Sequence, residues 1–161
     1  MKKRFILFCI LSGLLVISLV VYLNPTSGVV EAGEAFTLDV EPDLTTFDIV
    51  DPDGNGEGPF FIQGPIYPEG TLDENGNAPP GSVPIGQFFC WGWLYHGGEF
   101  AVVSQEFQLN GLGEIQVQGN EDDRRAVVGG TGVFKDVRGV GFAKFLNFPT
   151  NVSFTIDFDL D

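Results

Sequence analysis

The run Phe47-Asp48-Ile49-Val50-Asp51 sets a carboxylate among apolar neighbours. On a strand, Asp48 and Val50 share one face and Phe47, Ile49 and Asp51 the other, because successive side chains alternate. If the first face lines a cavity, Asp48 is a lone carboxyl among apolar groups. Desolvation then raises its pKa and makes it a proton donor or a stabiliser of developing positive charge. The competing reading is a solvent-facing aspartate in a very acidic chain. Cys90, in Gln87-Phe88-Phe89-Cys90-Trp91-Gly92-Trp93, is a second candidate. A nucleophilic cysteine needs a lowered pKa and a base at hand, and His96 is the one histidine. Six residues apart on a strand they stand about 20 Å apart, at about 3.3 Å per residue. That spacing argues for a buried structural cysteine instead.

Arg138 is a basic group in an acidic chain, and Asp136 or the run Glu121-Asp122-Asp123 would supply a surface ion pair. Asp51-x-Asp53-x-Asn55-Gly56-Glu57 has the oxygen spacing of the first half of a calcium loop. Its twelfth position is Ile62, not glutamate, and no flanking helices are predicted, so an EF-hand is excluded. A low-affinity calcium site on Asp51, Asp53, Asn55 and Glu57, or a plain acidic turn, is left. No His/Cys cluster suggests zinc, and one histidine makes no credible Ser-His-Asp set.

The elements that must hold these groups are strands. No long segment after residue 30 has a 3.6-residue apolar period, and 22 Gly and ten Pro punctuate β-rich runs. Strands are expected near Phe36–Val40, Thr45–Val50, Pro59–Gly64, Ile85–His96, Phe100–Leu109, Glu114–Gln118, Arg125–Gly129, Gly139–Leu146 and Val152–Asp159. The segments His96-Gly97-Gly98-Glu99 and Leu109-Asn110-Gly111-Leu112-Gly113 read as hairpin connections. This is an all-β chain, a sandwich or a closed barrel, and closure suits aromatic-rich strands whose free edges would aggregate. Along the fourth run, alternation sends Phe89, Trp91, Trp93 and Tyr95 to one face and Phe88, Cys90, Leu94 and His96 to the other. One face suits a cavity, the other a neighbouring subunit, and ordinary core packing would account for either.

The chain has 161 residues, with 22 acidic and eight basic side chains. Lys2, Lys3 and Arg4 are three of the eight, so everything after Tyr22 carries 22 acids against five bases. Such a surface repels nucleic acid and anionic lipid. With 43% apolar and 13% aromatic residues, disorder is excluded as well. The bases precede 19 uncharged residues, Phe5 to Leu23, closed by Asn24-Pro25. A positive flank before an apolar run directs the export of the chain beyond it. Residues 1–32 are therefore expected to be a signal peptide, cut after Val30-Glu31-Ala32, or a retained signal anchor, and 33–161 one exported domain. Cys90 is alone in that domain, so a disulfide framework is excluded. The sequon Asn151-Val152-Ser153 matters only in a eukaryotic secretory pathway.

The stretch from Phe107-Gln108-Leu109 to Gln116-Val117-Gln118-Gly119, followed by Ala126-Val127-Val128-Gly129-Gly130-Thr131-Gly132-Val133-Phe134 and then Arg138-Gly139, resembles the allene oxide cyclase/dirigent protein superfamily. The match is dense over residues 100–145. The resemblance implies an eight-stranded antiparallel β-barrel, commonly a homotrimer, with an apolar cavity and neither metal nor organic cofactor. It implies that Asp48 matches the charge-steering glutamate of the cyclases, that Val50 replaces their water-holding asparagine, and that Cys90 lies near a cavity cysteine. Arg138 matches the arginine of the dirigent Ala-Arg-Gly segment. Val50, Phe88, Leu94, Phe107 and Phe134 are then the expected ligand-contacting side chains. Read from residue types alone, Gly129, Gly130 and Gly132 permit a sharp turn and Phe134 comes next as a structural ring. The expected function is an exported barrel that binds a small apolar metabolite and guides its cofactor-free cyclisation, isomerisation or stereoselective coupling. Its rival is a non-catalytic ligand-binding or structural barrel, membrane-tethered and calcium-assisted.

Overall fold

The computed structural model describes residues 35–121 and 124–161. The expected signal peptide or anchor of residues 1–32 lies outside the described residues, as do Asp122 and Asp123. The described residues form nine strands in chain order: β1 (Ala35–Val40), β2 (Asp48–Ile49), β3 (Gly58–Pro68), β4 (Gly86–Tyr95), β5 (Phe100–Leu109), β6 (Gly113–Asn120), β7 (Arg124–Gly130), β8 (Gly139–Phe145) and β9 (Phe154–Leu160). Strands β3 to β9 form an antiparallel meander. β1 pairs with β9 on one side and with β3 on the other, so eight strands close into a barrel without a free edge.

Two-residue alternation builds the wall. On β5, Ala101, Val103, Gln105, Phe107 and Leu109 are buried in the lumen while Val102, Ser104, Glu106 and Gln108 face out. On β9, Phe154, Ile156, Phe158 and Leu160 alternate with Thr155, Asp157 and Asp159. Each inward set removes apolar surface from water, the main drive for closure. Phenylalanine rings run through the lumen in one chain of contacts, Phe148–Phe145–Phe154–Phe88–Phe107–Phe158–Phe36–Phe134, with centroids 5.0–6.1 Å apart. Phe36 stacks on Phe134 and Phe158, and the other pairs are tilted or edge-to-face, which matches the negative face of one ring to the positive edge of the next.

Two strand expectations are corrected. Thr45–Val50 is not one strand: Thr45 and Thr46 belong to a 3₁₀ turn, Leu44–Thr46, and only Asp48 and Ile49 pair with β3. The Asp43 carboxylate caps that turn, accepting from the Thr45 amide at 2.9 Å and the Thr45 hydroxyl at 2.7 Å. β1, the turn and β2 together form an interrupted strap along β3, held by Glu41 N–H to the Pro65 carbonyl (3.1 Å) and Asp43 N–H to the Gln63 carbonyl (2.8 Å). Gly64 makes that crossing fit, since a Cβ there would stand 2.2 Å from the Glu41 carbonyl oxygen. β3 also runs four residues beyond the expected Gly64, to Pro68.

The glycine motif closes one end. After β7, Thr131 leads into a 3₁₀ turn, Gly132–Phe134, which drives Phe134 into the end of the lumen, 2% exposed. Gly132 has φ +62°, and a Cβ on it would lie 2.1 Å from the Leu112 carbonyl oxygen. A Cβ on Gly130 would strike the Glu114 and Phe134 carbonyl oxygens at 2.5 and 2.6 Å. The motif is thus a structural corner that plugs the barrel.

Candidate functional site

The opposite end is open. Here an apolar cavity of about 540 Å³ occupies the mouth half of the lumen, within the size range of small-molecule sites. β3 contributes Phe60 and Ile62, β4 contributes Phe88, Cys90 and Leu94, and β5 contributes Ala101. Leu44 and Phe47 of the strap and Phe148 of the β8–β9 loop stand at the rim with much of their apolar surface exposed. Gly92 takes an inward position on β4, and a Cβ there would come within 3.1 Å of the Phe60 ring. The rings of Phe88, Phe107 and Phe158 floor the cavity in tilted and edge-to-face contact.

A polar corner backs this apolar space behind two of its lining residues, Cys90 and Glu121. Gln105 lies opposite Cys90 across the β4–β5 ladder and is 1% exposed; its amide nitrogen donates to the Cys90 sulfur at 3.7 Å. The other end of that amide, Oε1, is buried and meets no hydrogen-bond partner. Arg125 on β7 is equally buried, and its guanidinium donates to the Glu121 carbonyl. Room for its stem comes from glycines on both adjoining strands. Gly141 pairs with Arg125 from β8, and on β6 a Cβ at Gly119 would crowd the Arg125 Cα at 3.3 Å. Burial, and after it the Glu121 carboxylate, pushes the Cys90 thiol up to about 12, outweighing the opposite pull of Gln105 and Arg125.

The sequence-derived candidates separate into three places. Phe88, Leu94 and Cys90 line the cavity, and alternation on β4 is the reason: Trp91, Trp93 and Tyr95 point outward. Phe107 lies behind Phe88, in the floor. Phe134 is the plug at the far end, away from the cavity. Asp48 and Val50 do share a face, but it is the exposed one: β2 lies outside the barrel wall, clipped to β3, so neither reaches the lumen. Ile49 and Phe47 turn inward in their place, Phe47 against Phe60 with centroids 6.0 Å apart. Arg138 is exposed at the plugged end, where it donates to the Val137 carbonyl at 2.6 Å, far from both the cavity and Glu121. His96 ends β4 in an exposed turn, and Cys90 stays a protonated thiol at neutral pH.

The acidic loop is a self-contained turn. The Asp51 carboxylate accepts from the Asn55 and Gly56 amides at 3.1 and 2.8 Å, which holds it below its ordinary range. Asn55 donates to the Asp53 carboxylate at 3.2 Å and accepts from the Glu57 amide at 2.8 Å. Among the described residues no three His, Cys, Asp or Glu side chains converge as a metal site. The polar corner is the part of the site that sequence reasoning missed. Its signal was present: Gln105 and Arg125 stand at inward positions of strands whose other inward residues are apolar, a pattern break in the two-residue period.

No family model matches this sequence, and no curated protein matches it. Solved structures do. A pyocyanin demethylase superposes with a TM-score of 0.55 at 15% identity, covering 80% of this chain and 100% of its own. Two pterocarpan synthase dirigent proteins superpose with TM-scores of 0.54 and 0.51 at 17% and 18% identity. They cover 81% of this chain in each case, and 84% and 95% of their own. At such identities the likeness shows the fold alone: a closed antiparallel barrel similar to those of the two dirigent proteins and the demethylase.

Proposed function

We propose that this chain is an exported barrel that binds a small apolar molecule in its mouth half and guides that molecule's cyclisation, isomerisation or stereoselective coupling. The observation that carries the reading is the cavity of about 540 Å³, walled largely by hydrocarbon and open at one end of the barrel. A flexible substrate held there loses the conformations that lead to other products. Confinement of this kind contributes to rate and selectivity without an activated nucleophile. Cys90 and Glu121 are the polar groups of the lining near this corner, and Gln105 and Arg125 back them from behind the lining. Asp48, outside the wall, has no part in this reading. The barrel neighbours, a demethylase and two pterocarpan synthases by name, support a small-molecule role of this general kind.

We place the protein on the far side of a membrane on the strength of its leader, and as a homotrimer through the outer aromatic face. The second reading is a binding barrel without catalysis. The protonated Cys90, the solvent-facing Asp48 and the exposed Arg138 at the plugged end favour it, since all three expected catalytic groups are then idle. Native mass spectrometry on protein purified with its natural metabolite pool tests the site. An organic molecule retained by the wild type and lost on Ala101→Trp, which fills the mouth, is the expected result. No retained molecule, together with no uptake of a neutral hydrophobic probe, would remove the cavity from function. Turnover of the retained molecule then separates the catalytic reading from the binding one.

A further inference from the structure

The charge around the mouth is arranged by position. The strap and the loop after it, residues 41–57, carry Glu41, Asp43, Asp48, Asp51, Asp53 and Glu57 and no basic residue. Glu99 and Glu121 line the cavity itself, and its described lining includes no lysine, arginine or histidine. Of the five bases beyond the leader, Lys135 and Arg138 lie by the plugged end. Arg124 and Lys144 lie on the mouth half of β7 and β8 but point outward from the wall, where the carboxylates of the strap and its loop outnumber them. The fifth, Arg125, is buried beside the cavity and bound to the Glu121 main chain. An approaching solute therefore meets a negative field at the open end, which concentrates cations there.

The lining adds a second, independent preference. Seven phenylalanines face the cavity, and their ring faces carry negative charge density that attracts a cation brought within about 6 Å. Phe60 and Phe47 make one tilted pair at the rim, and Phe145 and Phe148 make another across from them, at 5.4 Å. Aromatic walls with carboxylates at the entrance and no cationic side chain in the lining are the chemistry that holds an organic ammonium or a charged aromatic nitrogen compound. The same arrangement works against an apolar carboxylate, whose head would have to pass Glu99 and Glu121.

We propose that the cavity takes an organic cation with a large apolar body in preference to a neutral or anionic ligand of the same shape. This inference rests on the cavity reading above and narrows its ligand class. Three probes with one skeleton test it: naphthyl-trimethylammonium, tert-butylnaphthalene, which has the same shape without the charge, and naphthalene sulfonate. Their binding to the intact protein is measured by calorimetry or probe fluorescence at pH 7 in low salt. The cation should bind at least about tenfold more tightly than the neutral probe, and the sulfonate more weakly than both. In Glu99→Gln/Glu121→Gln the cation's advantage over the neutral probe should shrink severalfold. A cooperative urea transition in that variant shows that the barrel is intact. Equal affinity for the cation and the neutral probe, or tightest binding of the sulfonate, overturns the inference and leaves the cavity reading standing. If no probe binds, both fall together.

Discussion

Cys90 and Gln105 form the least expected pair of side chains in the lumen, and each makes a different prediction. With its thiol pushed up to about 12 by burial, Cys90 keeps its proton long after an unfolded chain, at 9.0, has lost it. Between those values the native state binds one proton more than the unfolded state, so stability falls as pH rises. The slope is at most about 1.4 kcal/mol per pH unit. Urea titrations from pH 8 to 11 should show that loss in the wild type and a smaller one in Cys90→Ala. A thiol reagent at pH 8 should leave Cys90 unmodified in the native protein, and rapid labelling there would contradict the burial. Gln105 presents the reverse situation. Half of its amide is buried without a partner, a cost of about 1–3 kcal/mol in an empty site. Gln105→Met keeps the volume and removes the polar atoms. We expect the ligand-free protein to hold or gain up to about 1 kcal/mol, while the molecule retained in native mass spectrometry is lost. A loss of stability with ligand retention would make Gln105 a structural residue.

At the scale of elements, the plug and the straps decide which end of the barrel is closed. Gly132→Ala places a Cβ against the Leu112 carbonyl in a backbone at φ +62°. It should lower stability by about 2 kcal/mol or more in urea unfolding. Phe134→Ala empties the plug and should cost about 3–5 kcal/mol, yet leave the mouth cavity, half a barrel away, able to bind. The β3–β4 connection is the other fixed loop. Its Thr71 and Leu72 amides donate to buried Asp39 at 2.7 and 3.0 Å, and Asn151 donates to the Asn75 and Gly76 carbonyls at 3.1 and 3.3 Å. The amide of the sequon Asn151 is thereby engaged by this clamp. Most of these elements were legible in the sequence because their alternation is strong: the two-residue period alone sets Phe88, Cys90 and Leu94 on one face of β4. The strap was not legible. Thr45 and Thr46 have β-branched side chains, but an Asp43 cap draws them into a turn, and a period argument does not see a cap. The end of β3 was hidden for a related reason. Pro65 and Pro68 interrupt the β-rich run, whereas in the barrel they fall where β3 passes from the 3₁₀ turn and its flanking residues to β1. Asp48 was misplaced because alternation gives two faces and does not say which one is outside.

For the whole molecule, the outer surface of β3 and β4 is as aromatic as the lumen. Phe61, Trp91, Trp93 and Tyr95 are 37–46% exposed along one side of the barrel, with Val102 of β5 beside them. A highly charged protein that keeps a contiguous aromatic face in water has a surface fit for association. Assembly has to bring together chains with 22 acids against five bases, so apolar burial and charge repulsion oppose each other across the same interface. That opposition gives two expected results. Size-exclusion chromatography with light scattering should find a trimer at micromolar concentration for the wild type and a monomer for Trp91→Lys/Trp93→Lys. These residues point away from the lumen, so the double variant should still take up a neutral hydrophobic probe. Added salt should also strengthen assembly, because it screens the repulsion and leaves the aromatic contacts in place. A wild type that stays monomeric throughout would leave the stripe without a partner copy. Assembly that weakens as salt rises would place the interface on ion pairs elsewhere, and with them the reason for an exposed aromatic face on β3 and β4 would have to be sought in a different ligand.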